Sequence, residues 1–292
     1  MKILVTGGTG FLGRSLIKHF LRSSNLVALV TRDPEKVKQL SFYDSEDLYV
    51  IDSSSFSSLQ NGFESFNPDL IIHTACCYGR SNEDDNFMFE SNYEFGVNIF
   101  NLANNNSKKA FINIGTSLDK HTNIYSLLKY QFVEFCNAVS KKKTDVKFIN
   151  IKLEHMYGPG DDETKFTAYI VNSCLKNIKS LDLTYGEQTR DMIYIDDVIS
   201  GIQAIMDNIQ VLKNNEEISL GFGIATSIQD FVKKVAHLSN SKTKLNFGAL
   251  DYREKEMMHS VADVSRLKQF GWTPKYDLEK GILDYIEKEK EL

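Results

Sequence analysis

The sequence predicts an α/β protein built on a doubly wound parallel sheet, followed by a smaller C-terminal α/β lobe. Three observations support this prediction. Apolar runs typical of buried strands alternate with runs of helical period as far as residue 114. A glycine-rich turn joins the first strand to the first helix, and glycine and proline at residues 158–160 mark a departure from the sheet. A chain of 292 residues is long enough for such a domain and an additional lobe.

Composition and charge argue against several other classes of protein. The formal net charge is −5, whereas a nucleic-acid partner favours a basic surface. No apolar run approaches the ~18 residues that span a bilayer, and a first strand beginning at residue 2 leaves no room for a signal peptide. The four cysteines have no metal-site spacing and are expected to be free thiols. We therefore expect a cytoplasmic protein with no metal, no nucleic-acid partner and no membrane partner.

The first residues, MKILVTGGTGFLGR, have the pattern of a dinucleotide-binding turn. Gly7, Gly10 and Gly13 lie at a spacing of three between a strand at 2–6 and a helix at 11–21. One glycine permits the tight turn, one lets the backbone approach a pyrophosphate, and one lets helix pack on strand. The helix N-terminus offers unpaired N–H groups to the phosphates. The residues predicted to contact the dinucleotide here are Gly7, Gly10, Phe11, Leu12, Gly13 and Arg14.

The residues after the second predicted strand, 26–31, indicate which dinucleotide binds. Such a strand ends beside the adenosine ribose, where an acidic residue accepts hydrogen bonds from the 2′-hydroxyl of NAD. Here Arg32 lies beside the expected place and Arg14 follows the third glycine, and two guanidinium groups suit a 2′-phosphate. We therefore predict NADP(H) as the cofactor. The alternative, in which Arg32 faces solvent and Asp33 binds NAD, stays open.

Three further strands are predicted at 48–51, 70–74 and 110–114, with a long helix at about 83–104 between the last two. Parallel strands bring their carboxyl ends, where ligands of such sheets bind, to one edge of the sheet. The residues expected beside the cofactor at these ends are Asp52 and Ser53, near the adenine, and Thr74 and Ala75.

A pair of residues suited to acid–base chemistry follows the strand at 110–114. Tyr125 and Lys129 are four residues apart and share one helix face, and Thr116 lies at the end of the preceding strand. A lysine ammonium near a phenol favours the phenolate and is expected to lower the pKa of Tyr125. A neighbouring hydroxyl then holds a substrate oxygen while the tyrosine gives or takes its proton. The preceding glycine turn favours this interpretation over one in which the pair only packs in the core.

Beyond residue 145 the pattern changes. A sixth strand at 146–152 enters a loop rich in glycine and proline, and a helix is predicted at 164–176. A seventh strand at 192–195 precedes a helix at 198–209. The residues expected to cap helices are Asp196, Ser227, Asp263 and Asp277, with Gly271 ending a helix and Trp272 packing in the core.

The change of pattern also predicts the domain organisation. The first domain is expected to bind the dinucleotide and to comprise residues 1–157, completed by about 190–224. The second lobe is expected to comprise residues 158–189 and 225–292. The second lobe is expected to bind the substrate.

Together these motifs resemble the extended short-chain dehydrogenase/reductase superfamily, that is, the NAD-dependent epimerase/dehydratase family. The segments that carry the resemblance are GGTGFLG (7–13), HTA (73–75), the Thr116-Ser117 pair, YSLLK (125–129), YGPGD (157–161), GEQTRDMIYIDDV (186–198) and GWTP (271–274). They extend over nearly the whole chain. The resemblance implies a Rossmann-type sheet and a catalytic triad of Thr116, Tyr125 and Lys129, with Lys129 also holding the nicotinamide ribose.

The resemblance also implies a nucleotide-sugar substrate and assigns residues to it. The residues that it places at the substrate are Cys76, Ser117, His155, Arg190 and Arg253, and it places Tyr157 at the cofactor. Arg190 is expected to bind the diphosphate, a task suited to a planar fork of donors, and Arg253 is given the same task. A homodimer is implied as well, formed through the helix that carries Tyr125 and the helix before it.

The residues that follow the triad threonine narrow the reaction. Dehydratases of the family have Asp-Glu there, whereas this chain has Ser117 and Leu118, so that 4,6-dehydration is not expected. Enzymes that epimerise at C3 and C5 before reduction need an additional acid–base pair, and Cys76, Cys77 and His155 keep that reaction open. A preference for NADP(H) indicates net consumption of reductant.

The expected function is NADPH-dependent reduction of the 4-keto group of a nucleotide-activated 4-keto-6-deoxy or 3,6-dideoxy sugar, for O-antigen or capsule biosynthesis. The segment between Thr116 and Tyr125 is shorter than in relatives, which leaves the sugar and its carrier (CDP, dTDP or GDP) open. Two alternatives stay open. One is a nucleotide-sugar 4-epimerase with tightly bound NAD, and the other is a non-catalytic NADP-binding sensor, against which the Tyr125–Lys129 pair argues.

Overall fold

The computed structural model of the protein describes residues 1–104, 109–141, 146–254 and 256–291. The chain divides into two compact units. The first comprises Met1–Lys152 and Asn208–Ile218, and the second comprises Leu153–Asp207 and Ser219–Leu292. The first unit thus ends before the predicted boundary at 157, and the segment that completes it is shorter than the predicted 190–224. Which unit binds which ligand stays a prediction.

Twelve strands are formed by the described residues: β1 (Lys2–Thr6), β2 (Leu26–Thr31), β3 (Leu48–Asp52), β4 (Leu70–His73), β5 (Ala110–Ile114), β6 (Lys147–Leu153), β7 (His155–Tyr157), β8 (Ser180–Leu183), β9 (Thr189–Tyr194), β10 (Glu216–Leu220), β11 (Ala225–Ser227) and β12 (Lys244–Phe247). The same residues form eleven α-helices: α1 (Phe11–Arg22), α2 (Pro34–Val37), α3 (Phe56–Phe66), α4 (Asp85–Phe89), α5 (Phe95–Asn104), α6 (Ile124–Ser140), α7 (Phe166–Leu175), α8 (Ile195–Asp207), α9 (Ile228–Leu238), α10 (Ser265–Gln269) and α11 (Leu278–Glu289). A π-helical segment, Glu90–Glu94, lies between α4 and α5.

Seven of the described strands form the main sheet, in the order β10-β6-β5-β4-β1-β2-β3. The pairs β1–β2, β1–β4, β2–β3, β4–β5 and β5–β6 are all parallel. The chain runs outward from β1 to β3 on one side and from β4 to β6 on the other, so that the strand order reverses between β1 and β4. Ligands of such sheets bind beyond the carboxyl ends of the strands at this reversal. The predicted doubly wound, Rossmann-type sheet is confirmed.

The apolar runs form strands because both faces of this sheet are covered. Every residue of β4 is buried, as are the four central residues of β2. Phe100 of α5 packs edge-to-face against Phe111 and Phe148 of the sheet, with ring centroids 5.4 and 5.7 Å apart. Phe132 of α6 belongs to the same buried cluster. The core therefore anchors the helix that carries Tyr125.

The helix predicted at 83–104 is interrupted. The π-helical segment Glu90–Glu94 separates α4 from α5 and contains Asn92, whose side chain is completely buried. The Asn92 amide accepts from the N–H of Cys77 at 2.9 Å and donates to its carbonyl at 2.8 Å. The wider π turn thus directs a polar side chain into the core, where it holds the loop after β4. Helical periodicity does not reveal such a local change of pitch.

The main sheet also contains a strand that the sequence analysis did not assign. This strand is β10, which lies next to β6 at the edge of the sheet. The strand predicted at 192–195 corresponds to β9, which belongs to a different sheet in the second unit.

The second unit contains a three-stranded sheet, β11-β9-β7, and a two-stranded sheet, β12-β8. Strand β9 is parallel to β7 and antiparallel to β11. Two of the predicted caps are confirmed, because Ser227 and Asp277 accept hydrogen bonds from backbone N–H groups in the first turns of α9 and α11. Gly271, with φ +76°, follows α10, and Trp272 is buried as predicted.

Two predicted caps differ from the structure. Helix α8 begins at Ile195, so Asp196 lies inside its first turn rather than before it. Val264 is the N-cap of α10, although the carboxylate of Asp263 accepts from the N–H of Ser265 at 2.9 Å. Among the residues that the structure describes, no helix has both the length and the apolar character needed to cross a bilayer.

Candidate active site

The turn after β1 has a backbone geometry that requires glycine. Gly7 has φ +65°, and a Cβ there would lie 2.8 Å from the backbone N and Cα of Ala75. A Cβ on Gly13 would lie 2.8 Å from the Cα of Gly8. Gly10 is the N-cap of α1, and no described side chain caps this end. The turn therefore combines close backbone approach with an uncapped helix N-terminus, which fits the phosphates of a dinucleotide.

The two arginines predicted at the adenosine ribose belong to α1 and to the end of β2. Arg14 is half-buried in the first turn of α1, whereas Arg32 is exposed. The guanidinium carbon of Arg32 lies 4.7 Å from the ring centroid of Phe87, a cation–π contact. Asp33 is the N-cap of α2, and its carboxylate lies 3.8 Å from Nζ of Lys36. The 2′-phosphate contact of the two arginines stays a prediction.

The carboxyl ends of β3 and β4 carry the other first-unit residues predicted at the cofactor: Asp52, Ser53, Thr74 and Ala75. The hydroxyl of Thr74 donates to the carbonyl of Thr6 at 2.7 Å, and the N–H of Ala75 donates to Oγ1 of Thr6 at 3.3 Å. The N–H of Ser53 donates to the carbonyl of Thr31 at 2.8 Å. These bonds join the strand ends around the glycine turn, so the predicted cofactor residues share one edge of the sheet.

Tyr125 lies in the first turn of α6 and is 7% exposed. Asn123 caps this helix through a capping box, which fixes the first turn. The side chains of Thr116 and Tyr78 lie close enough to the phenol of Tyr125 to favour its ionised form, and the rings of Tyr78 and Tyr125 have centroids 4.8 Å apart. Oγ1 of Thr116 in turn accepts from the N–H of Leu118 at 3.2 Å. The structure therefore brings the predicted hydroxyl of Thr116 to the predicted acid, together with a second phenol.

The pKa of Tyr125 differs from the prediction. Burial is the largest cause and raises this pKa above its ordinary value. The neighbouring side chains of Thr116 and Tyr78 and the charge of Arg80 act in the opposite direction. The predicted lowering by Lys129 is therefore wrong: burial dominates, and the groups that favour the phenolate are these three neighbours.

Lys129 is buried on the same helix, and its Nζ donates to the carbonyl of Ile114 at 2.8 Å. Burial lowers the pKa of Lys129. Burial, and after it the charge of Lys129, hold the pKa of His73 well below its ordinary value, so that the imidazole is neutral. Nδ1 of His73 lies 2.8 Å from Oγ1 of Thr6. Cationic Lys129 and neutral His73 are thus both buried near the carboxyl ends of the strands.

Two residues predicted at the substrate also belong to the first unit. Cys76 and Ser117, which follow β4 and β5, are both half-buried. Cys76 lies close enough to raise the pKa of both Tyr125 and Lys129, although burial is the main influence on each. The four cysteines, all within the described ranges, are free thiols, as expected.

The substrate residues predicted in the second unit lie in three different environments. His155 is half-buried in β7, and Arg253 is exposed. Arg190 of β9 is buried, and its guanidinium donates to the carboxylate of Glu256 at 2.5 Å and to the carbonyl of Thr189 at 2.8 Å. Burial lowers the pKa of Arg190, and Glu256 opposes this shift. An internal carboxylate therefore pairs with the guanidinium predicted to bind a diphosphate.

Tyr157, predicted at the cofactor, is completely buried in the second unit. Its ring contacts those of Tyr194, Phe231 and Tyr285, with centroids 5.5, 5.9 and 6.4 Å away. The side chain is thus part of an aromatic core. Any contact of this residue with a cofactor would have to come from its backbone.

Sequence reasoning missed three residues of these sites: Tyr78, Asn92 and Glu256. Tyr78 and Glu256 lie in segments without regular secondary structure, where no periodic pattern points to a partner. Asn92 lies in a helical segment, and a polar residue there is ordinarily assigned to a solvated face. The HTA motif just before Tyr78 was the available signal that this loop reaches the site.

Comparisons with known proteins identify the family of this chain. A model of the NAD dependent epimerase/dehydratase family matches residues 3–221. The chain therefore belongs to this family of nicotinamide-dependent enzymes, as its motifs predict. A CDP-abequose synthase of Salmonella typhimurium is 30% identical, in an alignment that covers 98% of this chain and 97% of the relative.

Solved structures share the fold over the whole chain. A UDP-glucose 4-epimerase of Thermotoga maritima, determined with UDP-glucose, has a TM-score of 0.87 at 19% identity and covers 100% of this chain and 99% of its own. A UDP-glucuronic acid 4-epimerase of Bacillus cereus, in complex with UDP-glucuronic acid and NAD, has a TM-score of 0.85 at 22% identity with the same coverage. At these identities the likeness shows a common fold.

Proposed function

We propose that the protein uses NADPH to reduce the 4-keto group of a nucleotide-activated 4-keto-6-deoxy or 3,6-dideoxy sugar in surface polysaccharide biosynthesis. The observation that carries the proposal is that Tyr125 and Thr116, both buried, come together at the end of the sheet that carries the glycine turn, where Thr116 favours the ionised form of Tyr125. The similarity to a CDP-abequose synthase supports a nucleotide-linked deoxy sugar as the substrate class.

The acid–base step follows from the surroundings of Tyr125. A reduced nicotinamide dinucleotide supplies the hydride that a ketone accepts at carbon. Tyr125 gives its phenol proton to the ketone oxygen, so that an alcohol forms and a phenolate is left. Burial keeps the phenol protonated, which is the form that an acid needs, while Tyr78 and Arg80 favour the phenolate that is left. We assign to Thr116 the orientation of the ketone oxygen.

The cofactor assignment rests on the first unit. The glycine turn and α1 are proposed to hold the diphosphate, Arg14 and Arg32 the 2′-phosphate, and Lys129 the nicotinamide ribose. The contact of Arg32 with Phe87 supports this assignment, because it orders a long side chain at the end of β2. Asp33, the residue that would favour NAD, already lies near Lys36.

The proposed substrate residues are those that the resemblance to the family implies. Cys76 and Ser117 of the first unit are proposed to contact the sugar, and His155 of the second unit is given a binding role. Arg190 is proposed to bind the diphosphate with Arg253, although Glu256 pairs with it in this structure. We therefore expect Glu256 and the substrate phosphates to compete for the guanidinium of Arg190.

A cytoplasmic location and a homodimer formed through α6 complete the proposal. Ile124 and Leu127 of this helix are 40% and 37% exposed, which supports an apolar contact there. Sedimentation equilibrium is expected to give twice the mass of one chain, and a monomer over the whole concentration range would contradict the dimer.

One assay tests the proposed reaction. Purified protein is incubated with NADPH or NADH and, in turn, with the CDP-, dTDP- and GDP-linked 4-keto-6-deoxy sugars, while the absorbance of the reduced nicotinamide is followed. We expect consumption of NADPH with one of the three substrates, and NMR of the product gives its C4 configuration. No consumption with any substrate would contradict the proposal. Interconversion of C4 epimers by protein that copurifies with NAD would instead identify a 4-epimerase.

A further inference from the structure

The loop after β4 places a second phenol against the proposed acid. The rings of Tyr78 and Tyr125 have centroids 4.8 Å apart and planes inclined by 38°, and Tyr78 favours the ionised form of Tyr125. We propose that Tyr78 is a positioning residue whose hydroxyl donates to the oxygen of Tyr125, directs the Tyr125 proton toward the substrate, and stabilises the phenolate left behind. This inference rests on the proposed ketone reduction.

The direction of a hydrogen bond between the two phenols follows from the proposed reaction. A phenol oxygen carries one proton and accepts hydrogen bonds through its lone pairs. Since the proton of Tyr125 goes to the ketone oxygen, Tyr78 has to be the donor between the two phenols. In agreement with this direction, Tyr78 favours the ionised form of Tyr125.

Tyr78 is itself held from two sides. The buried amide of Asn92 binds both backbone groups of Cys77, the residue before Tyr78, at 2.9 and 2.8 Å. The guanidinium carbon of Arg80 lies 5.0 Å from the ring centroid of Tyr78. A cation against a phenol ring favours loss of its proton and so makes the hydroxyl a better donor. The half-buried Tyr78 therefore has a fixed backbone and a polarised hydroxyl.

The loop after β4 also supplies the charged and titratable groups that face Tyr125, namely Cys76, Tyr78 and Arg80. Tyr78 and Arg80 favour the phenolate, whereas Cys76 opposes it. The cation on the helix of Tyr125 itself, Lys129, donates to the carbonyl of Ile114. Burial is the largest influence on the pKa of Tyr125, and this loop supplies the charged and titratable neighbours that modify it.

Removal of the Tyr78 hydroxyl changes the pH dependence of the reaction. When Tyr125 protonates the ketone oxygen, its O–H bond breaks, the alcohol O–H bond forms, and the phenolate accepts the hydrogen bond of Tyr78. Without the Tyr78 hydroxyl this hydrogen bond is lost, which raises the pKa of Tyr125 further. In the reductive direction the protonated phenol is the active form, so the alkaline limb of the kcat profile moves to higher pH. Loss of one hydrogen bond should lower kcat by about 3–10-fold.

The test compares Tyr78→Phe, which keeps the ring and removes the hydroxyl, with Tyr93→Phe, whose ring packs against the same apolar cluster. Two properties are measured for each variant: the pH profile of kcat, and the NMR resonance of Tyr125 in protein labelled with ¹³C at the tyrosine Cζ. The Tyr125→Phe spectrum identifies that resonance. We expect Tyr78→Phe to move both the alkaline limb and the resonance, and Tyr93→Phe to move neither.

The proposal is overturned if the Tyr125 resonance is unchanged in Tyr78→Phe, or if kcat falls while the alkaline limb stays in place. The resonance is read on the protein alone. Failure of all three nucleotide sugars to react would therefore overturn the proposed function, while the resonance still decides the role of Tyr78. If Tyr78→Phe does not fold, Arg80→Gln, at an exposed position, takes its place. We expect this variant to move the Tyr125 resonance and the alkaline limb of the kcat profile in the same directions as Tyr78→Phe, but by smaller amounts. No movement of either would overturn the proposal.

Discussion

The two units of the protein hold their predicted ligand residues in different ways. In the first unit, main-chain carbonyls fix the functional side chains, as in the hydrogen bonds from Thr74 to Thr6 and from Lys129 to Ile114, at 2.7 and 2.8 Å. In the second unit, the carboxylate of Glu256 already pairs with the buried guanidinium of Arg190 at 2.5 Å. The side chains of the first unit are thus held by the main chain of the sheet. Arg190 in the second unit is held by a carboxylate that a ligand phosphate would have to replace.

The largest expected effect tests whether chemistry belongs to the first unit. Tyr125→Phe should lower kcat by roughly 10²–10⁴-fold, because the general acid is lost, while the Kd of NADPH stays near normal. The matched control in the second unit is Tyr285→Phe. Tyr285 is also buried, and its hydroxyl has no hydrogen-bond partner among the described residues, so kcat should be unchanged. Steady-state kinetics and a fluorescence titration with NADPH measure both quantities.

Full activity in Tyr125→Phe would show that another group supplies the proton. A comparable loss of kcat in Tyr285→Phe would show that the removal of any buried hydroxyl lowers activity. The effect of Tyr125→Phe would then not identify Tyr125 as the acid.

A second comparison uses two glycines with similar backbone angles, Gly7 at φ +65° and Gly271 at φ +76°. Alanine at either position should cost about 1–2 kcal/mol of unfolding free energy because of the left-handed conformation. At Gly7 the new Cβ would also meet the backbone of Ala75, whereas at Gly271 no described atom lies within 4 Å, so Gly7→Ala should cost about 1–3 kcal/mol more. Urea denaturation measures the difference.

The same pair separates stability from cofactor binding. We expect Gly7→Ala to raise the Kd of NADPH at least about tenfold, since the turn would no longer approach the phosphates closely, and Gly271→Ala to leave it unchanged. Equal losses of affinity in the two variants would mean that the glycine turn has no special role.

The smallest expected effect concerns the second unit. Glu256→Gln removes the negative charge beside Arg190, so the KM of the nucleotide sugar should fall by about 3–10-fold at low salt, with less change in kcat. Glu254→Gln, at an exposed neighbouring position, is the control and should have little effect. A higher KM in Glu256→Gln would indicate that the carboxylate orients Arg190 for the substrate instead of competing with it.

The fold of the first unit was predictable from the sequence because its signals are local. Strands β1, β2 and β5 have the predicted bounds, and the glycine turn follows from three residues at a spacing of three. Tyr125 and Lys129 were found because a helix of regular pitch places residues four apart on one face. In each case the pattern lies within one element and its neighbour in the chain.

Other features depend on contacts between residues distant in the chain, and periodicity carries no information about these. The pKa of Tyr125 is raised mainly by burial, and Cys76 and Tyr78, some 49 and 47 residues earlier, act on it as well, so the adjacent Lys129 was a poor guide. Glu256 meets Arg190 from 66 residues away. Strand β10 is short and pairs at a sheet edge, and its apolar residues are too few to distinguish it from a loop.

The most direct test of the central claim follows an isotope. NADPH that carries deuterium at the transferable position of the nicotinamide is incubated with the enzyme and the nucleotide sugar that it reduces, and the product is analysed by NMR and mass spectrometry. We predict one deuterium at C4 of the sugar for each NADPH consumed, with a rate that falls by roughly 10²–10⁴-fold in Tyr125→Phe. A product without deuterium at C4, or one formed equally fast by the variant, would contradict the account.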